Sequence, residues 1–194
     1  MPFTKSKIME FPRDVIVGHG VIGEIADLCK KVSMGNHPLI VHDERTKEIA
    51  GKKVIEVLKE EGYTVEDIVV ERATIDEVEK VKNHAMKWGA EYLIAVGGGT
   101  VIDTAKLASF KYNVPFISVP TAASHDGIAS PQASIKENVG SISMKARSPV
   151  AVLADTSIIS KAPYRMLASG CADVISNLTA ILDWQLAQRL KGEY

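Results

Sequence analysis

The chain has 194 residues, 46% of them apolar and 24% charged, with a formal net charge of −1. This is the composition of an ordinary globular protein, which excludes a disordered or fibrous chain, and the length suffices for one large domain or one domain and part of a second. A charge so close to zero gives no electrostatic reason to expect nucleic acid or an anionic membrane as partner, so any phosphate must be recognised locally.

Along the chain, short β-branched runs alternate with amphipathic stretches. Asp14–Val17 reads as a strand ending at Gly18-His19-Gly20, and residues 21–32 as a helix with Ile22, Ile25, Ala26 and Cys29 on one face. Leu39–Val41 is a second strand, closed by His42-Asp43. Residues 44–61 read as a helix with Ile49, Val54, Val57 and Leu58 inward, stopped by Gly62. Val65–Val70 is a third strand, and Thr74-Ile75-Asp76-Glu77 a capping box that starts a helix ending at Trp88-Gly89.

Tyr92–Val96 is almost wholly apolar, as expected of a strand covered by helices on both faces. It leads into Gly97-Gly98-Gly99 and a helix from about Thr100 to Phe110, then a strand at Phe116–Val119. Strands separated by helices of this length predict βαβ units: an α/β, Rossmann-like, mostly parallel sheet flanked by helices. Residues 121–149, rich in Ser, Ala, Gly and Pro, read as a long functional loop with one strand near Gln132–Ile135. A last strand, Val150–Ala154, ends at Asp155. From Pro163 the pattern is helical only, with Leu167, Val174, Ile175, Leu178, Ile181 and Leu182 as apolar positions. The expected division is a dinucleotide-binding domain over 1–162 and, over 163–194, a pair of helices that opens an all-α domain without completing it.

The opening MPFTKSKIMEFPRD has no apolar core of signal-peptide length, and no apolar run could span a bilayer. The expectation is a cytoplasmic protein that does not span a membrane, with a homo-oligomer compatible with the sequence. Cys29 and Cys171 lie far apart in helical patterns and read as small buried residues of a reducing compartment, not as a disulfide.

Two glycine loops compete for a phosphate. Gly18-His19-Gly20-Val21-Ile22-Gly23 fits G-x-G-x-x-G between a strand and a helix, with Asp43 after the next strand where a ribose-binding acid belongs. Gly97-Gly98-Gly99-Thr100 also joins a strand to a helix, and three glycines let the backbone approach a pyrophosphate with successive N–H groups turned toward it. The strand before Gly97 is the more apolar, hence the more central, and ligands bind at the carboxyl ends of central strands. Asp43 serves either loop, because a carboxylate can accept both hydroxyls of an adenosine ribose.

Gly97-Gly98-Gly99-Thr100-Val101-Ile102-Asp103-Thr104-Ala105-Lys106 resembles the GGG(S/T)-x-x-D-x-x-K signature of iron-type alcohol dehydrogenases, glycerol dehydrogenases and dehydroquinate synthases. Pro120-Thr121-Ala122-Ala123-Ser124-His125-Asp126-Gly127-Ile128-Ala129-Ser130-Pro131 is similar to a segment of sn-glycerol-1-phosphate dehydrogenases, as are Ser169-Gly170-Cys171-Ala172-Asp173-Val174-Ile175-Ser176 and Asp183-Trp184. The resemblance implies NAD(P)H bound by Gly97, Gly98, Gly99, Thr100 and Val101, with Thr121, Ser124 and Ser130 near the nicotinamide half. It implies that Asp126 contacts a phosphorylated small-molecule substrate, and that Asp173 contacts it too and ligates a catalytic Zn2+. The reaction implied is reduction of dihydroxyacetone phosphate to sn-glycerol 1-phosphate, the backbone of archaeal ether phospholipids.

The related alternatives are a glycerol dehydrogenase or a dehydroquinate-synthase-like enzyme; the alternative from another class is a non-catalytic dinucleotide-binding fragment. The family's zinc also needs two histidines after Asp173, whereas His19, His37, His42, His84 and His125 all precede it. The expectation is therefore a truncated chain lacking roughly 140 residues, about one further domain, and inactive in this form. His125 reads as a polar loop histidine beside the cofactor. Asp103 and Lys106 read either as signature residues of the site or as a helix-capping carboxylate and a solvated lysine.

Overall fold

A computed structural model describes residues 9–32, 34–137 and 140–192. Its strands are β1 (Asp14–Gly18), β2 (Pro38–His42), β3 (Glu66–Val69), β4 (Tyr92–Gly97), β5 (Phe116–Pro120), β6 (Gln132–Glu137), β7 (Gly140–Lys145) and β8 (Ala151–Asp155). Six of them form a parallel sheet in the order β1-β8-β5-β4-β2-β3, while β6 and β7 pair antiparallel as a separate ribbon. The helices are α1 (Ile25–Lys31), α2 (Glu44–Thr46), α3 (Lys52–Glu60), α4 (Ile75–Trp88), α5 (Gly99–Tyr112), α6 (Thr156–Ile159) and α7 (Tyr164–Lys191).

The apolar run of β4 is explained by its position. Leu93 and Ala95 pack with Val78, Val81 and Ala85 of α4 and with Ile102 and Ala105 of α5 on one face of the sheet. Tyr92, Ile94 and Val96 pack with Ile25, Leu28, Val54 and Leu58 of α1 and α3 on the other. A strand whose side chains alternate between two covered faces has no position left for a polar residue.

Chain order and sheet order together locate a crevice. From β2 the chain crosses to the edge strand β3, whereas from β4 it crosses the other way, to β5. The connecting helices α3 and α5 lie on opposite faces. The carboxyl ends of β2 and β4, which carry Asp43 and the Gly97 loop, therefore flank the topological switch point where open α/β sheets bind ligands.

Several local expectations are corrected. Ile49 is half exposed rather than inward, because residues Lys47–Gly51 form a wide π-type turn between α2 and α3. The extra residue in that turn rotates the apolar face, and Ala50 and Gly51 are buried in its place. The box at Thr74 is half made: Thr74 Oγ1 accepts from Glu77 N–H, but Thr74 N–H donates to the Arg72 carbonyl, so Glu77 reaches Glu71 N–H instead. The 121–149 segment holds a second strand, β7, which pairs with β6. One continuous helix of 28 residues, α7, stands where a pair was expected; residues 193–194, placed at the end of that pair, lie outside the described residues. Cys29 is buried, and burial pushes its thiol up to about 11, whereas Cys171 is exposed on α7; both are free thiols.

Candidate functional site

The switch-point crevice is a cleft of about 580 Å³. Asp43, Arg45 and Ile49 line it after β2, Gly98, Gly99 and Thr100 after β4, and Thr121 and Ser124 after β5. Lys161 and Pro163 close it from the segment leading into α7, and Met166 from the first turn of that helix. Gly98 is the N-cap of α5 and no side chain caps that helix, so first-turn N–H groups, which have no partner within a helix, are available to an acceptor in the cleft.

The three glycines of this loop have different reasons to be glycine. A Cβ on Gly97 would lie 2.7 Å from Val101, whose buried side chain packs over it. A Cβ on Gly99 would overlap the His125 ring. A Cβ on Gly98 would meet nothing within 4 Å, and Gly98 has an ordinary extended φ of −89°. Among the described residues neither a close contact nor backbone strain requires glycine there, and the position opens onto the cleft.

The Gly18–Gly23 loop differs in its amides. It leaves the edge strand β1, and the Asp155 carboxylate accepts from Gly20 N–H and Ile22 N–H, both at 2.9 Å. Asp155 also accepts from Ser157 N–H at 2.8 Å and from Ser157 Oγ–H at 2.6 Å. Burial raises the pKa of this carboxyl, but the four donors outweigh burial and hold it down at about 2. The anion this loop binds is therefore part of the protein.

Asp43 sits on a braced turn. It forms a capping box with Thr46, taking Thr46 N–H on Oδ1 at 2.7 Å and giving its own N–H to Thr46 Oγ1. Oδ2 is left without a partner among the described residues. Behind it, buried His42 pairs through Nε2 with Asp67 at 2.9 Å, and Lys47 pairs with the same carboxylate oxygen at 2.7 Å. Desolvation lowers the His42 pKa, with Asp67 opposing it.

A second cavity of about 570 Å³ adjoins the first. Asp126, Ser130 and Asp173 line it, with Asp103, His125 and Ser143. Asp173 Oδ2 accepts from Asp126 N–H at 2.7 Å, which ties α7 to the loop. Gly170, one turn earlier, permits that approach, since a Cβ there would overlap the Ala123 carbonyl. The His125 ring lies between the loops: it abuts Gly99 on one side, and a Cβ on Gly127 would come within 2.7 Å of its Nδ1 on the other.

Of the residues singled out from sequence, Asp43, Gly98, Gly99, Thr100, Thr121 and Ser124 thus surround one cleft, while Asp126, Ser130 and Asp173 surround the other. Ser130 lies with the two carboxylates rather than with Thr121 and Ser124. Gly97 and Val101 form the floor of the turn. Among the described residues no group of three or more His, Cys, Asp or Glu is placed to hold a metal ion.

The family model of the iron-containing alcohol dehydrogenases matches residues 16–163, more than half of the chain. The chain belongs to this family. Relatives named glycerol-1-phosphate dehydrogenase [NAD(P)+] include one from Methanosarcina mazei, 51% identical over 189 residues that cover 97% of this chain and 53% of the relative. Another, from Pyrococcus furiosus, is 54% identical, covering 96% of this chain and 54% of the relative. The chain spans about half the length of these relatives. The crystal structure of glycerol dehydrogenase from Schizosaccharomyces pombe superposes with a TM-score of 0.79 at 27% identity, over 89% of this chain and 44% of that one.

Within this family framework, three features leave no sign in the sequence. Asp155 and the turn it caps lie about 135 residues apart along the chain, so no local pattern links them. The sequence puts His125 in a loop, with nothing to indicate that two glycines make room for its ring. Lys106, for which a solvated side chain is one of the two expectations, is wholly buried.

Proposed function

We propose that this chain holds NAD(P)H in the switch-point cleft and forms, within a longer protein, the dinucleotide side of a site that reduces dihydroxyacetone phosphate to sn-glycerol 1-phosphate. The observation that carries the cofactor reading is the empty space over Gly98, at the uncapped N-terminus of a 14-residue helix. That position suits a pyrophosphate, for which free N–H groups and the helix dipole supply the counter-charge. The names of the relatives support the choice of substrate.

Gly98, Gly99 and Thr100 would face the pyrophosphate, with Gly97 and Val101 shaping the turn beneath it. The unpartnered Oδ2 of Asp43 would accept from the adenosine ribose. Thr121 and Ser124 would flank the nicotinamide half, and Ser130, Asp126 and Asp173 the substrate. Lys47 is occupied by Asp67, so the 2′-phosphate of NADPH would meet Arg45, which lines the cleft. When bound, the reduced nicotinamide supplies the hydride.

Asp173 is a fitting carboxylate ligand for zinc, but a catalytic zinc takes about three protein ligands. The described residues do not complete that set, and a single carboxylate would not retain the ion against water. In the cell such a protein would work in the cytoplasm, supplying a glycerol phosphate for phospholipid synthesis.

The test is oxidation of NADH or NADPH by the longer protein that contains this chain. Turnover with dihydroxyacetone phosphate, and little with unphosphorylated dihydroxyacetone, is expected. Turnover with only the unphosphorylated ketone would replace this reading with a glycerol dehydrogenase.

A further inference from the structure

A lysine without access to water is an expensive way to stabilise a fold, and Lys106 is one. It lies on α5, two turns from the glycine loop, and is 0% exposed. Its Nζ donates to Asp103 Oδ1 at 3.0 Å, to the Gly127 carbonyl at 2.6 Å and to the Gln132 carbonyl at 2.7 Å. An ammonium has three N–H donors and a neutral amine only two, so three acceptors at these distances are the coordination of the charged form. Asp103 completes the arrangement by accepting from Ser134 N–H on its other oxygen, at 3.1 Å.

The acceptors and donors on the far side are not scattered. Gly127, Gln132 and Ser134 bracket the segment that carries Ser130 and follows directly on Asp126. That segment is otherwise a 3-10 turn, Asp126–Ile128, and irregular backbone up to β6. The pair on α5 therefore grips both ends of the short stretch that lines the second cavity. The His125 ring, wedged between Gly99 and Gly127, fills the gap on the near side. Well-packed apolar side chains commonly replace a buried ion pair at no loss of stability, so the bulk alone does not explain an ammonium here. Three directional bonds to two separated carbonyls and a carboxylate do what bulk cannot: they fix the height of the loop over the helix.

We propose that Lys106, with Asp103, is a positioning residue that locks the 126–134 segment onto the helix bearing the glycine loop, holding the substrate side of the site in register with the dinucleotide side. The assignment of those two sides rests on the function proposed above. The lock itself does not, and the two are tested by different readouts.

The experiment compares the wild type with Lys106→Met, which keeps the stem and removes the three donors, and with Asp103→Asn, which keeps the shape and removes the charge. Hydrogen exchange of peptides spanning 126–136 is measured in this chain, together with its affinity for NADH. In the longer protein the Michaelis constants for NADH and dihydroxyacetone phosphate are measured. Both variants should exchange about tenfold or more faster over 126–136, with α4 and the central strands unchanged, as expected when one local unit loses its anchor. The NADH affinity should stay within about threefold, while the Michaelis constant for the ketone rises by about tenfold or more, the mark of lost positioning rather than lost cofactor binding. Unchanged exchange over 126–136 in both variants would overturn the lock. Loss of NADH and ketone affinity in equal proportion, or protection lost across the whole sheet, would reduce Lys106 to a general structural residue. If the wild type binds no dinucleotide, the functional reading fails, and the exchange data still decide whether the lock exists.

Discussion

The two glycine turns of this sheet have the same local grammar: a parallel strand, two or three glycines, a helix. They differ in where their amides go. At Gly18–Gly23 the N–H groups of Gly20 and Ile22 point at Asp155, a carboxylate supplied by β8, the neighbouring strand. At Gly97–Thr100, among the described residues, no side chain caps the helix and none would come within 4 Å of a Cβ on Gly98. At the first turn the anion is a side chain of the protein; at the second, the proposed function assigns that place to the pyrophosphate of a bound dinucleotide. The G-x-G-x-x-G spacing reports the turn geometry, not which acceptor its amides meet.

The largest effect that would break this contrast is on cofactor affinity. Gly98→Val places a side chain where none of the described residues comes within 4 Å of a Cβ but where a pyrophosphate would lie, and should weaken NADH binding at least about 1,000-fold, or about 4 kcal/mol, with the melting midpoint nearly unchanged. Gly20→Val should do the reverse. Its φ of +75° makes a β-branched side chain costly for folding, by about 1–2 kcal/mol, while NADH affinity holds. Titration by nicotinamide fluorescence, paired with thermal melts, checks both.

Next in size is the internal anion. Asp155→Ala leaves three backbone N–H groups and a hydroxyl without their acceptor and should cost about 2–4 kcal/mol of stability, read from denaturant midpoints, with NADH affinity within about threefold of wild type. The same carboxylate gives a pH signature. Its folded pKa of about 2 lies below its ordinary value of 3.8, so the stability it contributes is present above the unfolded value and is lost as pH falls through the folded one. About 2 kcal/mol should disappear between roughly pH 5 and pH 2, and Asp155→Asn should flatten that part of the stability curve.

These effects show what the chain reveals and what it hides. The βαβ alternation, the buried β4 and the central place of the Gly97 loop are legible, because apolar runs and turn glycines are local signals. Phase errors arise where a local rule is broken by one residue. The π-type turn at Lys47–Gly51 turns Ile49 out of the core and into the cleft wall. The serine-rich strand Gly140–Lys145 carries too few β-formers to stand out from the loop around it. Long-range pairings are illegible for a different reason. Nothing near Asp155 announces Gly20, and nothing near Lys106 announces the Gly127 and Gln132 carbonyls. The site residues expected from sequence, Gly97 and Val101 apart, line one or other of two cavities, but the motif gives no sign that Ser130 sits with Asp126 and Asp173 instead of with Thr121 and Ser124.

A smaller effect would sharpen the contrast at the adenosine end. Asp43→Ala should weaken NADH by about tenfold, or about 1.4 kcal/mol, and NADPH by less, because a carboxylate favours a free 2′-hydroxyl and repels a 2′-phosphate. Equal weakening of both dinucleotides would remove Asp43 from the ribose.

The most direct measurement is residue-specific: amide NMR of the 15N-labelled chain, titrated with NADH. Gly98, Gly99 and Thr100 should show the largest N–H shifts, saturating with a single affinity, while Gly20 and Ile22 stay in place because Asp155 already holds them. Shifts concentrated at Gly20 and Ile22, with Gly98 to Thr100 unmoved, would contradict the assignment of the second glycine loop as the dinucleotide site.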